Sequence, residues 1–90
     1  MKRERLQLIH DILKAIQGKE GRIKPTHIMY RANLSHQMLD EYLKYLKSNG
    51  FIKEIKLSKG KSYSLTDKGL KYIEEYKSIT TFIDSFGLNF

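Results

Sequence analysis

Between Arg3 and Gln17 the apolar residues Leu6, Ile9, Leu13 and Ile16 recur at steps of three and four, with Asp11 and Lys14 outside the stripe. Such positions share one side of an α-helix, so the spacing predicts an amphipathic first helix, ended by Gly18. From Lys19 to Lys24 two glycines and mixed charges replace the periodicity, which predicts a loop with a short edge strand at Arg22-Ile23-Lys24. Pro25 then opens a second helix of about two turns through Thr26, Ile28, Met29 and Ala32, because proline's fixed φ and missing N–H suit a first turn. Asn33 breaks it. Ser35 caps a third helix, whose apolar arc is Met38, Leu39, Tyr42, Leu43 and Leu46, and Gly50 supplies a left-handed end.

The period then changes from helical to alternating. Phe51 to Lys56 reads as one short strand, and Ser62 to Leu65, with Tyr63 and Leu65 on one face, as a second. Leu57 to Lys61 joins them as a basic hairpin loop in which Gly60 permits the tight turn. Thr66 caps a last helix that runs to about Ser85, before Gly87, with Asp67 near the positive end of its dipole. Two apolar faces are expected on it. Leu70 and Ile73 would close over the domain, while Tyr72, Tyr76, Ile79, Ile83 and Phe86 step by four, three, four and three, the spacing of a coiled-coil seam. A lone domain has no use for that second face, which two copies pairing through these helices would bury.

The order helix, edge strand, helix, helix, hairpin, long helix predicts a mainly α fold with a small β-hairpin (α+β): a winged helix-turn-helix with an extended C-terminal helix. Residues 1–66 form the expected DNA-binding domain, and residues 67–90 the dimerisation helix continuous with it. At 90 residues there is room for one core.

Composition narrows the function. The net charge is +7, and the excess is uneven, with 14 Lys/Arg against 6 Asp/Glu in residues 1–66 but 3 against 4 in residues 67–90. A basic body attracts polyanions through counterion release, nucleic acid first and an anionic membrane surface next. No cysteine is present, which excludes disulfides, thiolate zinc sites and thiol chemistry and suits a reducing compartment. The charged start and the lack of a long apolar run predict a cytoplasmic protein associated with the nucleoid rather than one exported or embedded in a membrane.

Candidate chemistry is concentrated on the third helix and the hairpin. Opposite the apolar arc lie Gln37, Asp40, Glu41, Lys44 and Ser48, a face that a major groove can admit. At its N-terminal end Ser35, His36 and Gln37 meet the groove first: Gln can pair bidentately with adenine, and His and Ser can bond phosphate or a base edge. Asp40 and Glu41 work against binding, because phosphates repel them unless one accepts from a cytosine amino group. Lys44 and Lys47 offset them, and in the hairpin Lys53, Lys56, Lys59 and Lys61 stand against Glu54 alone. The phosphate-holding set is therefore Lys44, Lys47, Lys56, Lys59 and Lys61, with Arg31 a further candidate at the turn. Gly60-Lys61-Ser62 resembles the end of a nucleotide-binding loop, but Ile55 occupies the position where that motif needs glycine. His10, His27 and His36 lack metal-pair spacing, and no catalytic constellation stands out, so neither metal, cofactor, small-molecule substrate nor enzymatic activity is expected.

Two segments carry a family resemblance. Thr26-His27-Ile28-Met29-Tyr30-Arg31-Ala32-Asn33-Leu34-Ser35 resembles the start of the helix-turn-helix in the small archaeal winged-helix DNA-binding proteins of roughly ten kilodaltons. Tyr63-Ser64-Leu65-Thr66-Asp67-Lys68-Gly69 is similar to their last strand and helix start, although Leu-Thr-x-Lys-Gly occurs widely among winged-helix regulators. The likeness covers roughly residues 5–80. It implies double-stranded DNA binding by the third helix and wing, homodimerisation through the last helix, and no cofactor. The expected protein is a transcriptional regulator or a chromatin-like DNA binder; a winged-helix protein-interaction module and an RNA binder are the alternatives.

Overall fold

The computed structural model describes residues 2–19 and 23–88. Its elements are α1 (Lys2–Lys19), α2 (Pro25–Ala32), α3 (His36–Ser48), β1 (Ile52–Leu57), β2 (Gly60–Leu65) and α4 (Asp67–Ser85). The two strands pair antiparallel from Ile52↔Leu65 to Leu57↔Gly60. Only Ser58 and Lys59 turn the hairpin, which is tighter than the five-residue loop expected from the sequence, and Gly60 takes the positive φ (106°) that this turn requires. Ile23 bridges antiparallel to Tyr63, which gives β2 a neighbour on its other edge; Arg22, expected in the same edge strand, lies outside the described residues.

The helix boundaries have local causes. Proline stands at the start of α2, and the Ser35 hydroxyl accepts from the N–H of Met38 at 3.2 Å to cap α3. Thr66 caps α4 in the same way, accepting from the N–H of Gly69 at 3.2 Å. At the far end of α2, Asn33 is left-handed (φ 56°), and the N–H of Leu34 donates back to the carbonyl of Met29 at 3.0 Å. The same closure ends α3, where Gly50 (φ 78°) donates to Lys47 and Phe51 donates to Leu46. Gly18, expected to stop the first helix, instead lies within α1, whose exposed surface there has open space around it.

The core is built around α1, which buries Ile9, Ile12, Leu13, Ala15 and Ile16. It meets Ile28 and Ala32 of α2, Leu39, Leu43 and Leu46 of α3, Ile52 and Tyr63 of the hairpin, and Ile73 of α4. Each fully buried Ile or Leu contributes about 1.5–3 kcal/mol. The buried face of α1 is broader than the four-residue stripe, because α2, β2 and α4 pack on different sides of it. Leu6, expected in that stripe, is 43% exposed in the first half of α1, and Met38 and Tyr42 lie on the flank of the α3 arc rather than in the core.

The segment joining β2 to α4 is held by polar contacts at each step. Thr66 donates from its hydroxyl to the carbonyl of Gly50 at 2.5 Å and from its N–H to the carbonyl of Phe51 at 3.2 Å. Lys68 reaches the carbonyl of Asn49 at 2.8 Å, where it satisfies the C-terminal end of α3, and its ammonium stands 4.6 Å from the centre of the Phe51 ring. Gly69 is buried against the carbonyl oxygen of Phe51, so close that a side chain has no space. These contacts are the physical content of the Leu65-Thr66-Asp67-Lys68-Gly69 segment.

Seating α4 through Gly69 and Ile73 turns Tyr72 and Tyr76 onto α1 and leaves Leu70, expected to cover the core, 40% exposed at the flank. Tyr72 donates to the carbonyl of Leu6 at 2.7 Å and meets Phe51 edge-on, and the Tyr76 ring stacks on His10 with centroids 4.3 Å apart. The expected two faces are therefore one broad face whose first half covers the molecule's own domain. The second half, with Ile79, Phe82 and Phe86, is exposed. The molecule accordingly measures 49 × 26 × 21 Å.

Candidate nucleic-acid interface

The turn of Asn33, Leu34 and Ser35 sets α3 against α2, and buried Leu34 anchors it. With Leu39, Leu43 and Leu46 facing inward, Gln37, Glu41, Lys44 and Ser48 occupy the opposite, exposed side. His36, Asp40 and Lys47 fall on the flank toward the hairpin. All of the N-terminal trio is exposed, and the Ser35 oxygen, which accepts from the N–H of Met38 to cap the helix, still has its O–H to donate.

A groove of about 460 Å³ runs between α3 and the wing, bordered by His36 and Asp40 on one side and by Lys59 and Lys61 on the other. The start of α2 closes one end, adding Lys24 and Thr26 to this surface. Neither residue was a candidate in the sequence. The signal was present in Lys24 standing directly before the helix-opening Pro25, where a positive helix end and a cation coincide. Arg31 is not part of this surface; it borders a separate small cavity with Lys19, His27 and Tyr30.

The lysines differ in what holds them. Lys44 pairs with Asp40 at 3.1 Å along α3. Lys47, in the last turn of α3, donates to Oε1 of Glu54 at 3.2 Å, and Lys61 of β2 stands 3.8 Å from the same oxygen. The Lys47 hydrogen bond, with the charges of Lys47, Lys61 and Lys56, holds the Glu54 carboxyl below its ordinary value against the opposing effect of burial. Burial, reinforced by the Glu54 and Asp40 charges, pushes the neighbouring Tyr63 phenol up. Among the described residues no carboxylate lies within ion-pair distance of Lys56 or Lys59, in contrast to Lys44, Lys47 and Lys61.

The five expected seam residues divide into two groups. Tyr72 and Tyr76 are engaged with α1 of their own chain, while Ile79 and Phe86 are exposed and Ile83 is half-buried. Phe82, outside the four-three register, is 57% exposed, and its ring lies 4.8 Å from that of Phe86. Among the described residues no helix is long and apolar enough to cross a membrane, and no three His, Asp or Glu side chains gather as a metal site.

An α2-turn-α3 unit flanked by a two-stranded wing defines a winged helix-turn-helix protein. The chain belongs to the winged helix-turn-helix family, whose model matches residues 2–84. Its relatives include two uncharacterised proteins of the archaeon Methanocaldococcus jannaschii. MJ0290 is 37% identical over 79 residues, 88% of this chain and 35% of that protein, and MJ0287 is 41% identical over 70 residues, 78% of this chain and 66% of that protein. The chain thus spans about a third of the first and just under two thirds of the second. Among solved structures it is similar to Sso10a-2, a DNA-binding protein from Sulfolobus solfataricus, with a TM-score of 0.73 at 24% identity over 91% of this chain and 86% of that one. It also resembles the PcaV transcriptional regulator from Streptomyces coelicolor, with a TM-score of 0.79 at 16% identity over 88% and 60% of the chains. An S. aureus MepR mutant bound to an oligodeoxyribonucleotide gives 0.75 at 15% identity over 90% and 62%. At these identities the likeness establishes the shared fold.

Proposed function

We propose that this protein binds double-stranded DNA as a homodimer and acts as a transcriptional regulator or chromatin-like binder at the nucleoid. The observation that carries the reading is the placement of the exposed face of α3 beside a wing whose tip holds Lys59 and Lys56, with no carboxylate within ion-pair distance among the described residues. In this reading Gln37 and His36 probe base edges in the major groove, with Ser35 donating alongside. Lys56 and Lys59 hold phosphates most strongly, Lys24 and Lys61 extend the same row, and Lys44 and Lys47 contribute from α3. Arg31 serves only at the margin. The second half of α4, through exposed Ile79, Phe82 and Phe86 and half-buried Ile83, pairs two copies and presents two reading surfaces related by a twofold axis.

The experiment is a fluorescence-anisotropy titration of labelled duplex at several salt concentrations. With about two to four phosphates neutralised per chain, log K should fall linearly with log salt at a slope of about −2 to −4 per chain. A binding constant indifferent to salt, or no binding to duplex, refutes the proposal.

A further inference from the structure

Glu54 is the acidic residue of the wing, and its side chain is only 16% exposed. One of its oxygens faces ammonium groups from two other elements, Lys47 at the end of α3 and Lys61 beside the hairpin tip. A single carboxylate on β1 thereby ties α3, β1 and β2 together. Asp40, which holds Lys44, lines the same small cavity as Glu54, with Tyr63 also in its wall. The surface that a phosphate row would cross therefore contains two carboxylates, and three of its lysines are already paired.

The consequence is electrostatic. A lysine that brings its own carboxylate neutralises less phosphate charge and displaces fewer condensed cations than a solvated one. Lysine counts overstate the sequence-independent attraction of this surface, and Glu54 accounts for the part of the overstatement at Lys47 and Lys61. Resting on the DNA-binding reading above, we propose that Glu54 is a specificity-determining residue: it presets the Lys47 and Lys61 ammoniums as a pair and withholds their charge from non-specific phosphate binding. Contacts from the tip and from the base-reading end of α3 then carry more of the discrimination.

Glu54→Gln tests this, because it keeps the shape and an acceptor for Lys47 and removes the charge. On random duplex at low salt the variant should bind about tenfold tighter, with a salt slope steeper by about 1 and a smaller preference for a selected duplex over a random one. Glu54→Asp, which retains the charge, should restore the wild-type slope. In the wild-type background Lys61→Ala should reduce the slope less than Lys59→Ala does, and in the Glu54→Gln background the two should become equal. The single-lysine comparison does not depend on the Glu54 variant folding, which circular dichroism checks. If wild type binds with a salt slope but Glu54→Gln leaves it unchanged, or Lys61→Ala and Lys59→Ala are already equal in wild type, the role of Glu54 is overturned while the DNA reading stands. If wild type shows no duplex binding, both fall.

Discussion

Replacing Gly69 with alanine places a methyl group on the carbonyl oxygen of Phe51, because α4 starts so close to the chain entering β1 that an added Cβ overlaps that oxygen. The same carbon would lie 3.4 Å from Cδ2 of Leu65. The obstacle is backbone, held by the N–H of Thr66 at 3.2 Å, and cannot rotate aside like a side-chain tip. Forcing an extra carbon into a packed site costs about 1–3 kcal/mol. Displacing the Phe51 carbonyl also forfeits much of the Thr66 hydrogen bond, about 1 kcal/mol. The better helix propensity of alanine returns at most about 1 kcal/mol. The net expectation is a loss of about 1–3 kcal/mol, or a Tm lower by about 5–20 °C for a chain of this size. Thermal and urea denaturation followed by far-UV circular dichroism measure it. Gly18→Ala is the internal control, since it is an exposed helical position where an added Cβ meets no other part of the described structure within 4 Å, and it should be neutral or stabilising by up to about 1 kcal/mol. A Gly69→Ala protein as stable as wild type would show that α4 is not seated on β1 as described.

Four further outcomes are expected. Lys59→Ala should weaken binding to all duplexes about equally and reduce the salt slope by about 1, as measured by anisotropy. Gln37→Ala should change the preference among selected duplexes by about 1–3 kcal/mol with little loss on random DNA; equal losses on every sequence would make Gln37 a positioning contact. Ile79→Asp with Ile83→Asp should convert a dimer into a folded monomer by light scattering, since each unpaired charge buried at the interface costs several kcal/mol. A wild-type monomer at micromolar concentration would remove the dimer. Burial, with a smaller contribution from Tyr76, pushes the Tyr72 phenol from its ordinary 10 up to about 12. The folded state therefore favours the neutral phenol, and this stabilisation is complete below about pH 10 and lost as pH rises through about 12. Tyr72→Phe should flatten that part of the stability profile, and an unchanged alkaline profile would refute the assignment.

The parts of the fold legible in the sequence are those set by neighbours within a few residues. Pro25, Asn33, Ser35, Gly50 and Thr66 each mark a boundary through their own φ or a hydrogen bond to a backbone group nearby, and they stand where the structure uses them. Gly18 misled because a single glycine lowers helix propensity without ending a helix whose other face is buried. The basic wing and the outward face of α3 were also legible, since alternation and helical period assign sides without knowledge of the partner element.

What the sequence by itself determined is the order of elements, the ends of α2, α3 and α4, the charge asymmetry and the face that α3 buries. The tertiary structure alone decided how far those faces are covered and which charges remain free. Tyr72 and Tyr76 carry seam spacing, yet they pack on α1 because Gly69 lets α4 approach Phe51 closely and so sets the rotation of the helix. Lys47 and Lys61 read as phosphate contacts, yet both face Glu54, which is seven residues from each of them along the chain and reaches them only because α3 and the hairpin are packed side by side. Periodicity specifies direction around an axis. Distance between axes, and with it ion pairing and the exposure of an apolar face, is set by packing between elements remote in sequence.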